Sequence, residues 1–217
     1  MTSPATTTVD VWWARIDQVR DEFAEDLDEV EQGRLAAYLR DEDKARFLLG
    51  CTIVRRVLAA RFSLPPAKVS LDRTCSECGK PHGKVRAARV ELSVTHSGEL
   101  VGVAFGDRPV GLDVEKVDPE VDVDGVAKLA LAPQEARELT RYDGIEKAGA
   151  FTTYWTRKEA ALKAIGVGLR GDLKATAPDG VDVQELDVDP EYRAALAVVT
   201  AEPPAVRMLR FGSDPLR

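Results

Sequence analysis

Asp107-Arg108-Pro109-Val110-Gly111-Leu112-Asp113-Val114-Glu115 is a turn followed by alternation of apolar and acidic residues. The alternation predicts a strand, on which residues two apart share a face, so Asp113 and Glu115 point the same way. The turn also divides the chain near its middle. The two halves, residues 1–108 and 109–217, each carry a helical pattern followed or flanked by strand patterns, and no sequence repeat relates them. The pattern implies an α/β (α+β) protein.

Downstream, Trp155-Thr156-Arg157-Lys158-Glu159-Ala160-Ala161-Leu162-Lys163 reads as a helix. Trp155, Glu159 and Lys163 recur at i, i+4, i+8 along one side of it, so a carboxylate and a lysine face the same way. Two carboxylates on a strand and a third on a distant helix suit a hard cation such as Mg²⁺, which leaves room for water and phosphate oxygens. The alternative is a set of solvated surface charges, in a chain that is 31% charged. Lys116 to Asp124 reads as a loop, residues 125–131 as a helix, and Pro133 as the restart of another, with Glu135 in its first turn, where an acidic residue is favoured. Val181-Asp182-Val183, residues 194–200 and Val206-Arg207-Met208-Leu209 read as strands completing a sheet.

Upstream, residues 43–62 form an amphipathic helical pattern ended by Pro65-Pro66, with Leu49, Ile53, Val57 and Leu58 suited to its core face. Arg46 and Arg56 lie about 80° apart on a helical wheel and look along one edge, while Arg55 sits nearly opposite Arg46. They are placed to bind an anion or to pair with Glu42 and Asp43. Cys75, Cys78 and His82 in Cys75-Ser76-Glu77-Cys78-Gly79-Lys80-Pro81-His82-Gly83-Lys84 resemble three zinc ligands without a fourth; the alternative is a tight turn. Residues 89–94 and 101–105 read as a hairpin with Thr95-His96-Ser97-Gly98 at its tip, a turn able to cradle a phosphate.

Composition narrows the classes. A net charge of −7 argues against general nucleic-acid binding, so an anionic ligand would need a local basic cluster. No run approaches the ~20 apolar residues of a membrane span. The N-terminus shows no signal pattern and the cysteines number three, which leads to the expectation of a cytoplasmic protein without a disulfide scaffold.

Three stretches, Thr95-His96-Ser97-Gly98 with its strand, Gly111-Leu112-Asp113-Val114-Glu115 and Trp155-x-x-Lys158-Glu159-Ala160-x-x-Lys163, resemble the three motifs of 4′-phosphopantetheinyl transferases, in order and at similar spacing. The likeness covers roughly residues 35 to 175 and is strongest to the monomeric Sfp-like branch, of actinobacterial type, that activates carrier domains of polyketide, nonribosomal peptide and fatty acid synthesis. It implies two similar lobes, each a long helix on a small, mainly antiparallel sheet, with the active site between them. It implies transfer of 4′-phosphopantetheine from coenzyme A to a serine of an apo acyl or peptidyl carrier protein. Asp113, Glu115 and Glu159 would hold Mg²⁺ or Mn²⁺; Lys163 would add positive charge; Glu159, or a water held by Glu135, would take the serine proton. Arg46, Arg56 and, less well placed, Arg55 would bind the 3′-phosphate. Lys80 or Lys84 would contact the nucleotide, and Thr95, His96 and Ser97 the phosphates. A non-catalytic coenzyme A or nucleotide-binding regulatory protein is the alternative function.

Overall fold

The structure, a computed structural model, describes residues 7–75, 77–81, 83–167, 174 and 178–212. They form two compact units, one of Thr8–Asp107 with the residues from Val206 onward, the other of Arg108–Ala205 with Thr7. Both mix helices with small, mainly antiparallel sheets.

In the first unit, strands β1 (Thr8–Arg15), β2 (Glu91–Ser97), β3 (Leu100–Gly106) and β7 (Ala205–Arg210) form a sheet in the order β2-β3-β1-β7. β2 and β3 make the anticipated hairpin, with Ser97 opposite Leu100. Helix α1 (Glu29–Ala37) begins at Asp28, whose side chain accepts the Glu31 N–H as an N-cap. Helix α2 (Asp41–Phe62) ends at Ser63 in the left-handed region, just before the prolines foreseen as its stop. Leu49, Ile53 and Leu58 are fully buried, with Leu92, Val101 and Val103 of the sheet in the same core.

The second unit has the sheet order β4-β6-β5, made of β4 (Val110–Lys116), β5 (Val181–Leu186) and β6 (Tyr192–Val199). Asp113 lies opposite Ala195 and Glu115 opposite Arg193. Helices α3 (Val123–Ala130) and α4 (Pro133–Leu139) pack on the first half of α5 (Gly144–Ile165) through Ala127, Leu139, Ala148 and Phe151. The second half of α5 lies on the sheet.

The tail differs from the division at residue 108. A second lobe running to residue 217 would give all three C-terminal strands to one sheet, but β7 pairs with β1 in the first unit. Phe211 continues that attachment: its N–H donates to the Trp13 carbonyl at 2.9 Å and its ring meets Phe23 edge-on at 5.9 Å.

Candidate active site

Gly111, Asp113 and Glu115 alternate along β4 on the face that meets α5. A Cβ at Gly111 would lie 2.0 Å from the Ala160 carbonyl oxygen and 2.5 Å from the Ala164 nitrogen, so only glycine admits the helix this closely. Small residues continue the close approach, with Ala160, Ala161 and Ala164 of α5 on Ala195 and Ala197 of β6. The helix thereby brings its charged residues onto the strand. Lys163 Nζ donates to Asp113 Oδ1 at 2.5 Å and to the Leu112 carbonyl at 3.1 Å.

Glu159 is 8% exposed. Burial first, and then the charge of Asp113, push its carboxyl above the usual carboxylate range; Lys163 opposes them and Glu115 adds a smaller push. Its Oε1 is buried with no hydrogen-bond donor among the described residues. A buried carboxylate beside two others is stabilised by more positive charge than one ammonium supplies. Among the described residues, no three His, Cys, Asp or Glu side chains form a group that could hold a metal ion. Mg²⁺ is usually held by one or two carboxylates together with water and substrate phosphates.

Glu135 is tied down at one oxygen. Its Oε2 accepts the Ala132 N–H at 2.7 Å, closing the start of α4, and pairs with Lys158 Nζ at 2.9 Å. Lys158 is 8% exposed and carried no expected role. Its helical spacing held a signal: Trp155, Lys158, Glu159 and Leu162 form one stripe at i, i+3, i+4, i+7, so a lysine there faces the unit's interior.

In the first unit, Arg46 joins the first of the three recognised motifs. Its Nε donates to the Gly98 carbonyl at 2.7 Å and its Nη1 to Asp43 at 2.6 Å, so the guanidinium is fixed at the end of the His96 hairpin. His96 is exposed, Ser97 half-buried and Thr95 buried. Arg56 lies over the Phe23 ring, 4.6 Å from its centroid, and donates to Asp26 at 2.7 Å. Exposed Lys80 and half-buried Lys84 share one loop closed by the Asp72–Arg86 bridge. In that loop Cys75 and Cys78 flank a tight turn, with the Gly79 N–H on the Cys75 carbonyl and the Cys75 N–H on the Lys80 carbonyl, both at 2.9 Å. The third zinc candidate, His82, lies outside the described residues.

Arg55 corrects an expectation. It is 0% exposed. It binds Asp28 and Glu31 through its side chain, and the carbonyls of Pro66 and Val69 at 2.9 and 3.2 Å. With its donors spent inside the core it is structural, not a phosphate ligand.

The model of the 4′-phosphopantetheinyl transferase superfamily matches residues 109–212, which include β4 and α5. The 4′-phosphopantetheinyl transferase HetI of Nostoc sp. is 31% identical over 167 residues, 74% of this chain and 70% of its own. A 4′-phosphopantetheinyl transferase of Bacillus subtilis is 29% identical over 183 residues, 76% of this chain and 78% of its own. A Synechocystis sp. relative given the same transferase name is 34% identical over 156 residues, 70% of this chain but 62% of its own length. By these likenesses the chain belongs to the 4′-phosphopantetheinyl transferases.

Proposed function

We propose that this enzyme transfers the 4′-phosphopantetheine group of coenzyme A to a serine hydroxyl of an apo acyl or peptidyl carrier protein, releasing 3′,5′-ADP. The observation that carries the reading is Glu159, buried against Asp113 and Glu115 with Lys163 opposing their charge. Asp113, Glu115 and Glu159 would hold Mg²⁺, or Mn²⁺ in its place. When bound, the ion neutralises charge on the pyrophosphate, the main need of such transfers. Lys163, fixed on Asp113, contributes a further positive charge as ADP leaves. The serine proton goes to Glu159 or to a water oriented by Glu135, whose Oε2 is held by Ala132 and Lys158.

Coenzyme A recognition falls to residues of the first unit. Arg46 and Arg56 serve the 3′-phosphate, Lys80 or Lys84 the nucleotide, and Thr95, His96 and Ser97 the phosphates. Arg46 is favoured because its bond to Gly98 puts it beside the His96 turn. The reading places the protein in the Sfp-like branch, of actinobacterial type, as a cytoplasmic monomer, where coenzyme A and carrier proteins meet it.

The test is incubation with coenzyme A, Mg²⁺ and a panel of apo carrier domains, followed by intact mass. A phosphopantetheine-sized gain on at least one carrier is expected. Coenzyme A binding without a gain on any carrier would leave only the non-catalytic alternative.

A further inference from the structure

Glu31 is 0% exposed and holds two arginines, Arg55 on Oε2 and Arg73 on Oε1. Arg55 connects α1 to α2 and to the turn at Pro66. Arg73 opens the loop that carries Lys80 and Lys84. The catalytic reading uses neither Glu31 nor Arg73, yet a buried carboxylate shared by two guanidiniums is a costly arrangement that fixes both partners.

Arg73 grips the loop at two levels. Its side chain reaches Glu31, with Nη2 also 3.6 Å from Cys51 Sγ. Its carbonyl accepts the Gly83 N–H at 2.7 Å, directly before Lys84. At Gly83 a Cβ would meet the Thr74 carbonyl oxygen at 2.7 Å and Cys75 Cα at 2.9 Å, so the two arms of the loop pass in direct contact. Below them, Asp72 and Arg86 exchange backbone hydrogen bonds at 2.9 and 2.8 Å. Arg34, one turn after Glu31 on α1, adds a long contact to the Pro81 carbonyl at 3.5 Å. Cys51 is no rival anion for Arg73, because burial, and secondarily Glu31, push its thiol up to about 12.

We propose that the Glu31–Arg73 ion pair is the positioning device for the lysine loop: α1 sets, through Arg73, where Lys80 and Lys84 meet the nucleotide end of coenzyme A. Arg73 is a positioning residue here, acting through the lysines without touching the ligand. The proposal rests on the coenzyme A reading above. A lysine loop held in place loses less freedom on binding, so its anchor supports affinity more than the chemical step.

The test uses the full chain and Arg73→Met, which leaves the Arg55–Glu31 pair intact. Expected are faster hydrogen exchange at the Gly83 and Arg86 amides, a rise of about tenfold in the coenzyme A Kd and KM, and kcat within about twofold. Arg73→Lys should restore part of the affinity, and it replaces the Met variant if that one does not fold. In a Lys80→Ala/Lys84→Ala background, Arg73→Met should add nothing further to Kd. An unchanged Kd in Arg73→Met, or an equal loss with and without the two lysines, would overturn the positioning role alone. Failure of the unaltered protein to bind coenzyme A at all would overturn the functional reading and this proposal with it.

Discussion

In the unit built on α2, Arg55 and Glu31 are wholly buried and their charges meet: Arg55 reaches Asp28 and Glu31, and Arg73 takes the other oxygen of Glu31. In the unit built on α5, Glu159 is buried beside Asp113 and Glu115, with Lys163 acting against them, and its Oε1 has no donor among the described residues. The first arrangement pairs each of its charges, although Arg73 Nε has no hydrogen-bond partner among the described residues, and serves the architecture. In the second, burial and the charges of Asp113 and Glu115 raise the Glu159 carboxyl against the pull of Lys163, a perturbation of the kind that clusters at functional sites. Burial of charge therefore does not itself identify function; the balance around it does.

The sharpest way to break the comparison is to unbalance the closed network. Glu31→Ala leaves Arg55 buried without its main partner and should cost about 3–5 kcal/mol in urea unfolding. A loss under about 1 kcal/mol would place this network with ordinary surface pairs. Lys158→Met tests whether the α5 unit also holds a pair of mixed purpose. If Glu135 orients a water, single-turnover transfer should fall by about tenfold, a barrier change of about 1.4 kcal/mol, with Lys158→Arg partly restoring it. An unchanged rate with a lowered thermal midpoint would reduce Glu135 to a helix-capping residue.

Arg46→Ala should weaken coenzyme A by about tenfold and 3′-dephospho-coenzyme A much less, since a phosphate contact is lost only where the phosphate exists. Equal weakening of both would assign Arg46 to holding the Gly98 turn. The smallest effect expected is the pH dependence of stability without divalent cations. Glu159 has a raised folded-state pKa, so its favourable contribution is complete below the ordinary carboxylate value of about 4.3 and is lost as pH rises through the raised one. Relative to Glu159→Gln, the unaltered protein should lose stability across that window. A parallel pair of stability curves would remove the repulsion from the account.

The motif-bearing elements were legible because their signals are local. The alternation in residues 110–115, the stripe through Trp155 and Glu159, and the double proline after α2 each report on their own neighbourhood, and β4, α5 and the end of α2 follow them. Gly111 was legible as part of a motif but not for its reason, since the helix it admits lies about fifty residues away along the chain. Arg55 shows the opposite limit. A helical wheel gives its direction, yet its partners are Glu31 of α1 and that helix's N-cap Asp28, outside the recognised motifs. The pairing of β7 with β1 was hidden likewise, because alternation predicts a strand but not which edge it joins.

The central claim, that the carboxylates around Glu159 take a divalent cation together with coenzyme A, is tested most directly by thermal midpoints of the unaltered protein and Glu159→Gln with coenzyme A, Mg²⁺, both or neither. Ligands that bind the folded state raise the midpoint by mass action. For the unaltered protein, Mg²⁺ should add to the coenzyme A shift more than it gives alone. For Glu159→Gln, the coenzyme A shift should persist while the Mg²⁺ increment disappears. An equal Mg²⁺ increment in both proteins would contradict the claim.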